Sequence, residues 1–182
     1  VRAADTMLIA VSAKSGVSVG TEKAVAAANQ NDLAKVFFVN GLCDESADFY
    51  KVFQDLKTYF GPAVCPLVVP FIVDGKVDCY INLLEYKAHR YESGTMKDVP
   101  MPDMGTRLDG LRTAIYEAVA ETSDEMFEKY FSGEKFTPEE VILGISKGVK
   151  EGKIYPVFCG DAQLTDGVDQ LLNGLIWLAP TV

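Results

Sequence analysis

The chain begins with short apolar runs that alternate with stretches of helical spacing. Met7–Val11 and Val36–Val39 are continuous apolar runs, which is typical of strands buried on both faces. Leu67–Val69 is a third run of this kind, and two helical segments, 21–30 and 47–59, lie between the runs. The order β-α-β-α-β predicts a parallel sheet with right-handed crossovers.

The pattern changes after residue 70. Asp74-Gly75 lies between two runs of alternating polarity, which predicts a β-hairpin. A Gly- and Pro-rich stretch, Ser93–Pro102, is expected to separate this hairpin from three helices. They are predicted at about 108–119, Asp124–Phe131 and Pro138–Lys150, and the last carries the start signal Thr-Pro-Glu-Glu.

The α/β rhythm returns near the end of the chain. Tyr155–Cys159 is a predicted strand. It is followed by an amphipathic helix whose apolar row contains Val168, Leu171, Leu172, Leu175 and Ile176. We therefore predict a doubly wound α/β domain built from residues 1–70 and 151–182, with a small α+β insertion at residues 71–150.

Composition narrows the class of protein. The 182 residues are 48% hydrophobic and carry 17 basic against 26 acidic side chains, a formal charge of −9. This balance excludes a disordered chain and disfavours charge-driven binding to DNA or RNA. No apolar run approaches the roughly 20 residues needed to span a bilayer, so we expect a soluble protein with no membrane partner.

Cysteine and histidine positions give no sign of a metal site. A zinc site needs clustered ligands, and the cysteines are widely separated at positions Cys43, Cys65, Cys79 and Cys159. We expect buried, reduced thiols and a cytoplasmic location. The single histidine, His89, lies in a polar stretch and is expected at the surface, and Trp177 is expected to pack against the core.

The first residues, Val1–Asp5, contain neither an initiator Met nor the pattern of a signal peptide. An apolar segment follows within six residues. We interpret the chain as a segment of a larger protein.

Candidate chemistry lies where the predicted parallel strands end, because ligands of open α/β sheets bind there. Ser12-Ala13-Lys14, Asn40–Cys43 and Cys159–Ala162 follow three of these strands. Asn40 invites comparison with the guanine-reading NKxD motif of GTPases, although only the Asn matches. The alternative is that Asn40 simply caps its strand and orders a loop.

Several further blocks carry a more specific resemblance. The segment from Asn40 to Phe49 resembles the NKxD-to-GADF segment of elongation factor G. Other blocks resemble that family in the same order and at similar spacing, namely Gly16–Glu22, Pro66–Pro70, Glu128–Glu134 and Ile154–Ala162. The chain is identified as a member of the elongation factor G family, and it is most similar to the divergent elongation-factor-G-like branch.

The resemblance implies part of a P-loop-GTPase-type domain that begins after switch II. GTP or GDP with Mg²⁺ would bind the parent protein, and no tightly bound cofactor is expected on this segment. The segment contains no P-loop: Gly16–Lys23 lacks the Lys-Ser/Thr pair. Ser12–Lys14 spells the family's SAK loop but precedes Asn40 instead of following it. We therefore expect no GTP hydrolysis by the segment alone.

The resemblance places five residues beside the guanine base: Asn40, Gly41, Cys43, Asp161 and Ala162. Three of them, Gly41, Cys43 and Asp161, depart from the family. The family Lys falls on Gly41, the base-reading Asp on Cys43, and the loop Ser on Asp161. Asp44 lies one residue too late. We hypothesise that guanine selectivity is weakened or absent. The alternative is that Asp44 or Asp161 takes over base recognition.

Two functions therefore stay open. The parent is either an active elongation-factor-G-like GTPase or a non-catalytic relative that binds the ribosome or a protein. In both, the resemblance implies contact with the ribosome through the insertion, including the ribosomal stalk protein. The acidic stretch from Glu121 to Glu140 is expected to be mostly a solvated helix face. The alternative is that it contains such a stalk-binding surface.

Overall fold

Two sheets and six helices form the computed structural model, which describes residues 4–178. The strands are β1 (Thr6–Ser12), β2 (Ala34–Asn40), β3 (Val64–Pro66), β4 (Val68–Val73), β5 (Lys76–Asn82), β6 (Lys87–Glu92), β7 (Thr95–Val99) and β8 (Tyr155–Gly160). The helices are α1 (Val19–Gln30), α2 (Phe49–Phe60), α3 (Thr106–Ala120), α4 (Asp124–Phe131), α5 (Pro138–Lys150) and α6 (Val168–Leu178).

The first sheet is parallel and has the order β1-β2-β8-β3, which confirms the predicted mostly parallel α/β architecture. Strands β2 and β8 are central and almost wholly buried. Strand β1 lies at the edge of this sheet, and its residues alternate between buried and exposed. The expectation that Met7–Val11 is buried on both faces is wrong. Within residues 4–178 only one helix, α1, packs extensively against β1, so Leu8 on the other face is 46% exposed.

The third parallel strand is Val64–Pro66, three residues before the predicted one. Leu67 still donates a hydrogen bond to the carbonyl of Val157 on β8, at 2.9 Å, and the chain then enters the second sheet with β4. Leu67–Val69 is buried because it lies where the two sheets meet. The continuous apolar run therefore predicts correctly that these residues are buried, but it does not predict which of the two sheets they join.

The second sheet is an antiparallel meander with the order β4-β5-β6-β7. The predicted hairpin is confirmed: Asp74 and Gly75 connect β4 to β5 with φ values of 51° and 77°, the two left-handed residues of a type I′ turn. Ser93 and Gly94 connect β6 to β7 in the same way, with φ values of 52° and 76°. The stretch Ser93–Pro102 is therefore partly a hairpin, and it is wrong to regard it only as a separator.

The helices confirm most of the predicted bounds. Helices α4 and α5 begin and end where the sequence predicts, and α5 begins with a capping box between Thr137 and Glu140. Helices α3 and α5 also pack against the parallel sheet, and both sheets share one hydrophobic core. The boundaries 1–70, 71–150 and 151–182 stay a prediction, and residues 1–3 and 179–182 lie outside the description. Within residues 4–178 no helix is both long and apolar enough to cross a membrane.

The predicted exposure is wrong for four further residues. His89 is buried on β6, and its Nδ1 lies 2.9 Å from the Asp98 carboxylate on the neighbouring strand β7. Ala88, the residue before it, is buried as well, so β6 does not alternate between buried and exposed residues at this point. Leu172 and Ile176 on α6 are 55% and 77% exposed instead of facing the core. Cys43 is exposed, whereas the other three cysteines are buried as predicted and Trp177 packs at the edge of the core.

Packing of α6 onto β8 gives a test of the fold. A Cβ added at Gly174 would lie 2.3 Å from Cζ of the buried Phe158 ring. We expect Gly174→Ala to lower the free energy of unfolding by about 1–3 kcal/mol, as overpacked cores do. Urea unfolding followed by circular dichroism measures this change.

Gly110 on α3 is the matched control. A Cβ there would meet no atom within 4 Å. Gly110→Ala should raise the free energy of unfolding by up to about 1 kcal/mol, because Ala favours a helix more than Gly does. Equal effects of the two substitutions would contradict the packing described for α6.

Candidate functional site

The carboxyl ends of β1, β2 and β8 meet around one open cavity of about 420 Å³. This is the place where the sequence predicts ligand binding in an open parallel sheet. The lining residues come from the three loops that follow these strands and from the strand ends: Ala10, Val11, Ser12, Lys14, Asn40, Gly41, Cys43, Asp44, Asp161 and Gln163.

Asn40 holds the three loops together at the base of the cavity. Its side-chain Oδ1 accepts a hydrogen bond from the N–H of Ala162 at 2.9 Å. Its backbone carbonyl accepts one from the N–H of Ala13 at 2.8 Å. Asn40 and Ala162 are therefore brought together as predicted, and Asn40 orders loops in the way that the alternative interpretation expected.

Gly41 contributes backbone and no side chain to the cavity. Its φ is +87°, a left-handed conformation that favours glycine, and a Cβ there would meet no atom within 4 Å. The N–H of Gly41 donates to the carbonyl of Gly160 at 3.1 Å. Space for a long side chain is therefore present at this position, but the backbone conformation disfavours one.

Asp161 is the most heavily hydrogen-bonded side chain of the site, and it is only 2% exposed. Its Oδ2 accepts the backbone N–H of Cys43 at 3.2 Å, and the Cys43 thiol donates to the same oxygen at 2.5 Å. Its Oδ1 accepts the N–H groups of Gln163 and Leu164 at 3.0 and 3.2 Å. We call these four interactions the Asp161 clasp. The two from Cys43 join the loop after β2 to the loop after β8, and the two from Gln163 and Leu164 hold the second loop itself.

The clasp shifts the pKa of both partners. Burial alone would raise the pKa of Asp161, but the hydrogen bonds from Cys43, Leu164 and Gln163 outweigh burial and lower this pKa below its usual value. The pKa of the Cys43 thiol is raised, chiefly because the protonated thiol donates to the Asp161 carboxylate. Partial desolvation of the sulfur adds to this rise, although the residue as a whole is exposed. At neutral pH the pair is therefore a thiol donating to a carboxylate.

Asp44 lies at the mouth of the same cavity and is exposed. Its Oδ1 accepts the N–H of Ser46 at 2.8 Å, and its Oδ2 lies 3.3 Å from the Nζ of Lys14. These contacts, led by the Ser46 N–H, lower the pKa of Asp44. The carboxylate is therefore ionised at neutral pH.

Lys14 belongs to the first of the three strand-end segments that the sequence offers as candidates. As a SAK loop, Ser12–Lys14 is a false match by its order in the chain and is not expected to contact the base, yet Lys14 lines the cavity beside Asn40 and Asp44. The reason is topological. Ser12 and Asn40 are partners in the β1–β2 register, so whatever follows either residue lies at the same edge of the sheet.

Comparison with known proteins agrees with this geometry. The family described as the elongation factor Tu GTP binding domain matches residues 1–181. The chain belongs to this family. Within it, the chain is part of a G domain of the elongation factor G type.

Two relatives support the same assignment. The chain is 30% identical over 171 residues to an elongation factor G-like protein of Thermotoga maritima, covering 94% of this chain and 25% of that protein. A crystal structure of a protein from Thermus thermophilus matches with a TM-score of 0.89 and 34% identity, over 98% of this chain and 27% of that one. The chain thus spans about a quarter of the length of these relatives.

The G-domain cavity fits a nucleotide base in position and polarity but not in the family's residue types. It lies at the carboxyl ends of parallel strands and presents backbone and side-chain polar groups. Gly41, Cys43 and Asp161 occupy the three places where the resemblance implies Lys, Asp and Ser. Within residues 4–178 no group of three or more His, Cys, Asp or Glu side chains is placed to hold a metal ion.

The Asp161 clasp predicts a measurable contribution to stability. Asp161→Asn places an amide where Oδ1 and Oδ2 together accept four donors, so at least one donor of Cys43 or of the 163–164 backbone loses its partner. We expect the free energy of unfolding to fall by about 1–3 kcal/mol at neutral pH. Urea unfolding measures it.

The same prediction has a pH dependence of known sign. The pKa of Asp161 in the folded chain is lower than its unfolded value of about 4, so the carboxylate stabilises the fold above that pH. This contribution is lost as the pH falls through the folded-state pKa, and the difference between the two proteins should shrink in acid. The exposed Asp44→Asn is the control, expected to leave stability nearly unchanged, and a difference that persists in acid would contradict the clasp.

Proposed function

We propose that this segment forms the base side of the GTP pocket of an elongation-factor-G-like translational GTPase, and that its base-recognition motif is degenerate. The observation that supports this proposal most directly is that the loops of Asn40, Cys43 and Asp161 converge around one cavity. In this proposal the parent protein binds GTP or GDP with Mg²⁺. It works in the cytoplasm on the ribosome.

Each departure removes a specific interaction with the base. Gly41 has no aliphatic stem to cover a base face. Cys43 carries a thiol that donates to Asp161, so it offers no charged acceptor. Replacing a carboxylate acceptor in this way removes hydrogen bonds worth ~1.5–3 kcal/mol, or roughly ten- to a hundred-fold in affinity.

The departures at positions 43 and 161 are coupled. The Cys43 Sγ lies 2.5 Å from a carboxylate oxygen of Asp161. Cys43→Asp alone would place two carboxylates in contact, which raises the pKa of one of them and disfavours the arrangement. Restoring the base-reading carboxylate therefore requires removal of Asp161 in the same protein.

This coupling gives a test of the proposal in the full-length parent protein. We expect the unmutated protein to bind fluorescent GDP weakly and to show only a small preference for GDP over ADP as competitor. The triple variant Gly41→Lys/Cys43→Asp/Asp161→Ser should bind GDP ten-fold tighter or more, because it regains the stem and the acceptor. Competition titration with GDP, XDP and ADP measures this gain.

Two further variants separate the causes. Cys43→Asp/Asp161→Ser leaves Gly41 unchanged and so avoids the strain of a Lys at φ +87°. Cys43→Asp alone should gain little, because Asp161 opposes it. A single Cys43→Asp variant that regains full guanine affinity would contradict the coupling, and tight, selective binding by the unmutated protein would contradict the degeneration.

The second candidate function is a non-catalytic module that binds the ribosome or its stalk protein. Helix α4 supports the ribosome contact itself, which both candidate functions share. None of the residues of α4 is buried, and Phe127 and Phe131 are 49% and 70% exposed. Their rings lie 4.4 Å apart, centre to centre, beside a cavity of about 270 Å³. Paired exposed aromatic side chains next to a cavity are typical of protein-binding surfaces.

The α4 surface gives its own prediction. Phe131→Ala in the full-length protein should weaken binding to ribosomes at least ten-fold, because it removes an exposed aromatic anchor. Co-sedimentation with ribosomes measures the binding. Ile176→Ala on α6 removes an equally exposed apolar side chain elsewhere and is the control. Similar binding by the two variants would exclude α4 as the contact surface.

A further inference from the structure

Lys14 and Asp44 are the two oppositely charged side chains that face each other across the mouth of the cavity. Their Nζ and Oδ2 atoms are 3.3 Å apart, and the side chains are 57% and 42% exposed. They come from loops after different strands, β1 and β2, and neither stands at a family base-contact position. We infer that Lys14 and Asp44 provide the base contacts that remain in this cavity, with Asp44 giving the small preference for guanine over adenine that the degenerate motif leaves. This inference rests on the proposed nucleotide-binding function.

Asp44 is available to a ligand, whereas Asp161 is not. All four hydrogen bonds of the Asp161 clasp come from the protein itself, and Asp161 is 2% exposed. Asp44 accepts one backbone N–H from Ser46 and faces the Lys14 ammonium. A carboxylate has about four acceptor sites, so Asp44 keeps acceptor capacity toward the cavity.

Lys14 has a fixed backbone and a solvated side chain. The hydroxyl oxygen of Ser12 accepts the N–H groups of Lys14 and Ser15 at 3.2 and 3.1 Å, which holds the loop after β1. The side chain itself reaches into solvent at the cavity mouth. Its four-carbon stem can cover the face of a base, which Gly41 cannot do.

The ion pair between Lys14 and Asp44 gives little stability of its own, because exposed pairs are well solvated and screened. Rearranging it around a ligand therefore costs little. A carboxylate also discriminates between bases. The Watson–Crick edge of guanine presents two adjacent N–H donors, from N1 and the N2 amino group, which a carboxylate accepts together. Adenine presents an acceptor at N1, which repels the carboxylate.

The test exchanges the acceptor for a group of nearly the same shape. An Asn at position 44 offers one acceptor and one donor. That pair matches the N1–H and C2 carbonyl of xanthine instead of the guanine edge. In full-length protein binding fluorescent GDP, Asp44→Asn should lose the preference for GDP over ADP and should shift the XDP-to-GDP ratio at least ten-fold toward XDP.

Three control variants separate the effect of a nearby carboxylate, of the Lys14 ammonium and of the Lys14 aliphatic stem on the competition profile. Glu45→Gln removes the neighbouring exposed carboxylate, which lies outside this cavity, and should leave the competition profile unchanged. Lys14→Ala should weaken GDP, XDP and ADP alike, and Lys14→Met, which keeps the stem, should restore most of this loss. A profile of Asp44→Asn equal to that of Glu45→Gln would overturn the assignment of Asp44.

Failure of the inference is distinguishable from failure of the proposed function. If neither the unmutated protein nor the Gly41→Lys/Cys43→Asp/Asp161→Ser variant binds fluorescent GDP, the proposed function fails and the inference fails with it. If both bind, but the unmutated protein shows no preference among bases or keeps its preference in Asp44→Asn, only the inference fails.

Discussion

The carboxylate of Asp161 joins two loops that lie 118 residues apart in the chain, and the shape of the cavity depends on that junction. Without its acceptors, the backbone N–H groups of Cys43, Gln163 and Leu164 would lose the partners that fix the loops after β2 and β8. Burying a carboxylate is unfavourable unless it is well hydrogen-bonded. The four donors meet that requirement. A carboxylate that departs from the family pattern in the sequence therefore stabilises the two loops in the structure.

Much of the fold could be predicted because its signals are local. Helices α4 and α5 carry capping residues at their starts, and Asp74-Gly75 carries the left-handed backbone of a tight hairpin. Sequence reasoning failed where exposure depends on distant partners. Leu67–Val69 is apolar in either sheet, and His89 is buried only because its strand lies inside the meander.

The candidate site also has one property that could be predicted from the sequence and one that could not. Its location follows from the ends of β1, β2 and β8, so Asn40, Gly41, Cys43, Asp44, Asp161 and Ala162 could be placed together from the sequence. The roles of these residues could not be predicted. Whether Asp161 points at a ligand or at Cys43 depends on atoms of another loop. Lys14 reaches the cavity through strand register, which a comparison of motifs does not contain.

The left-handed backbone at Gly41 and the contact between Cys43 and Asp161 also bear on how this sequence can evolve. A single step toward Lys at position 41 meets backbone strain, and a single step toward Asp at position 43 meets a second carboxylate. A descendant lineage would first have to replace Asp161 and would thereby lose the two hydrogen bonds from Cys43 that link the loops after β2 and β8. Positions 41, 43 and 161 are therefore linked, and a lineage that acquires Lys at position 41 and Asp at position 43 needs a coordinated change at position 161.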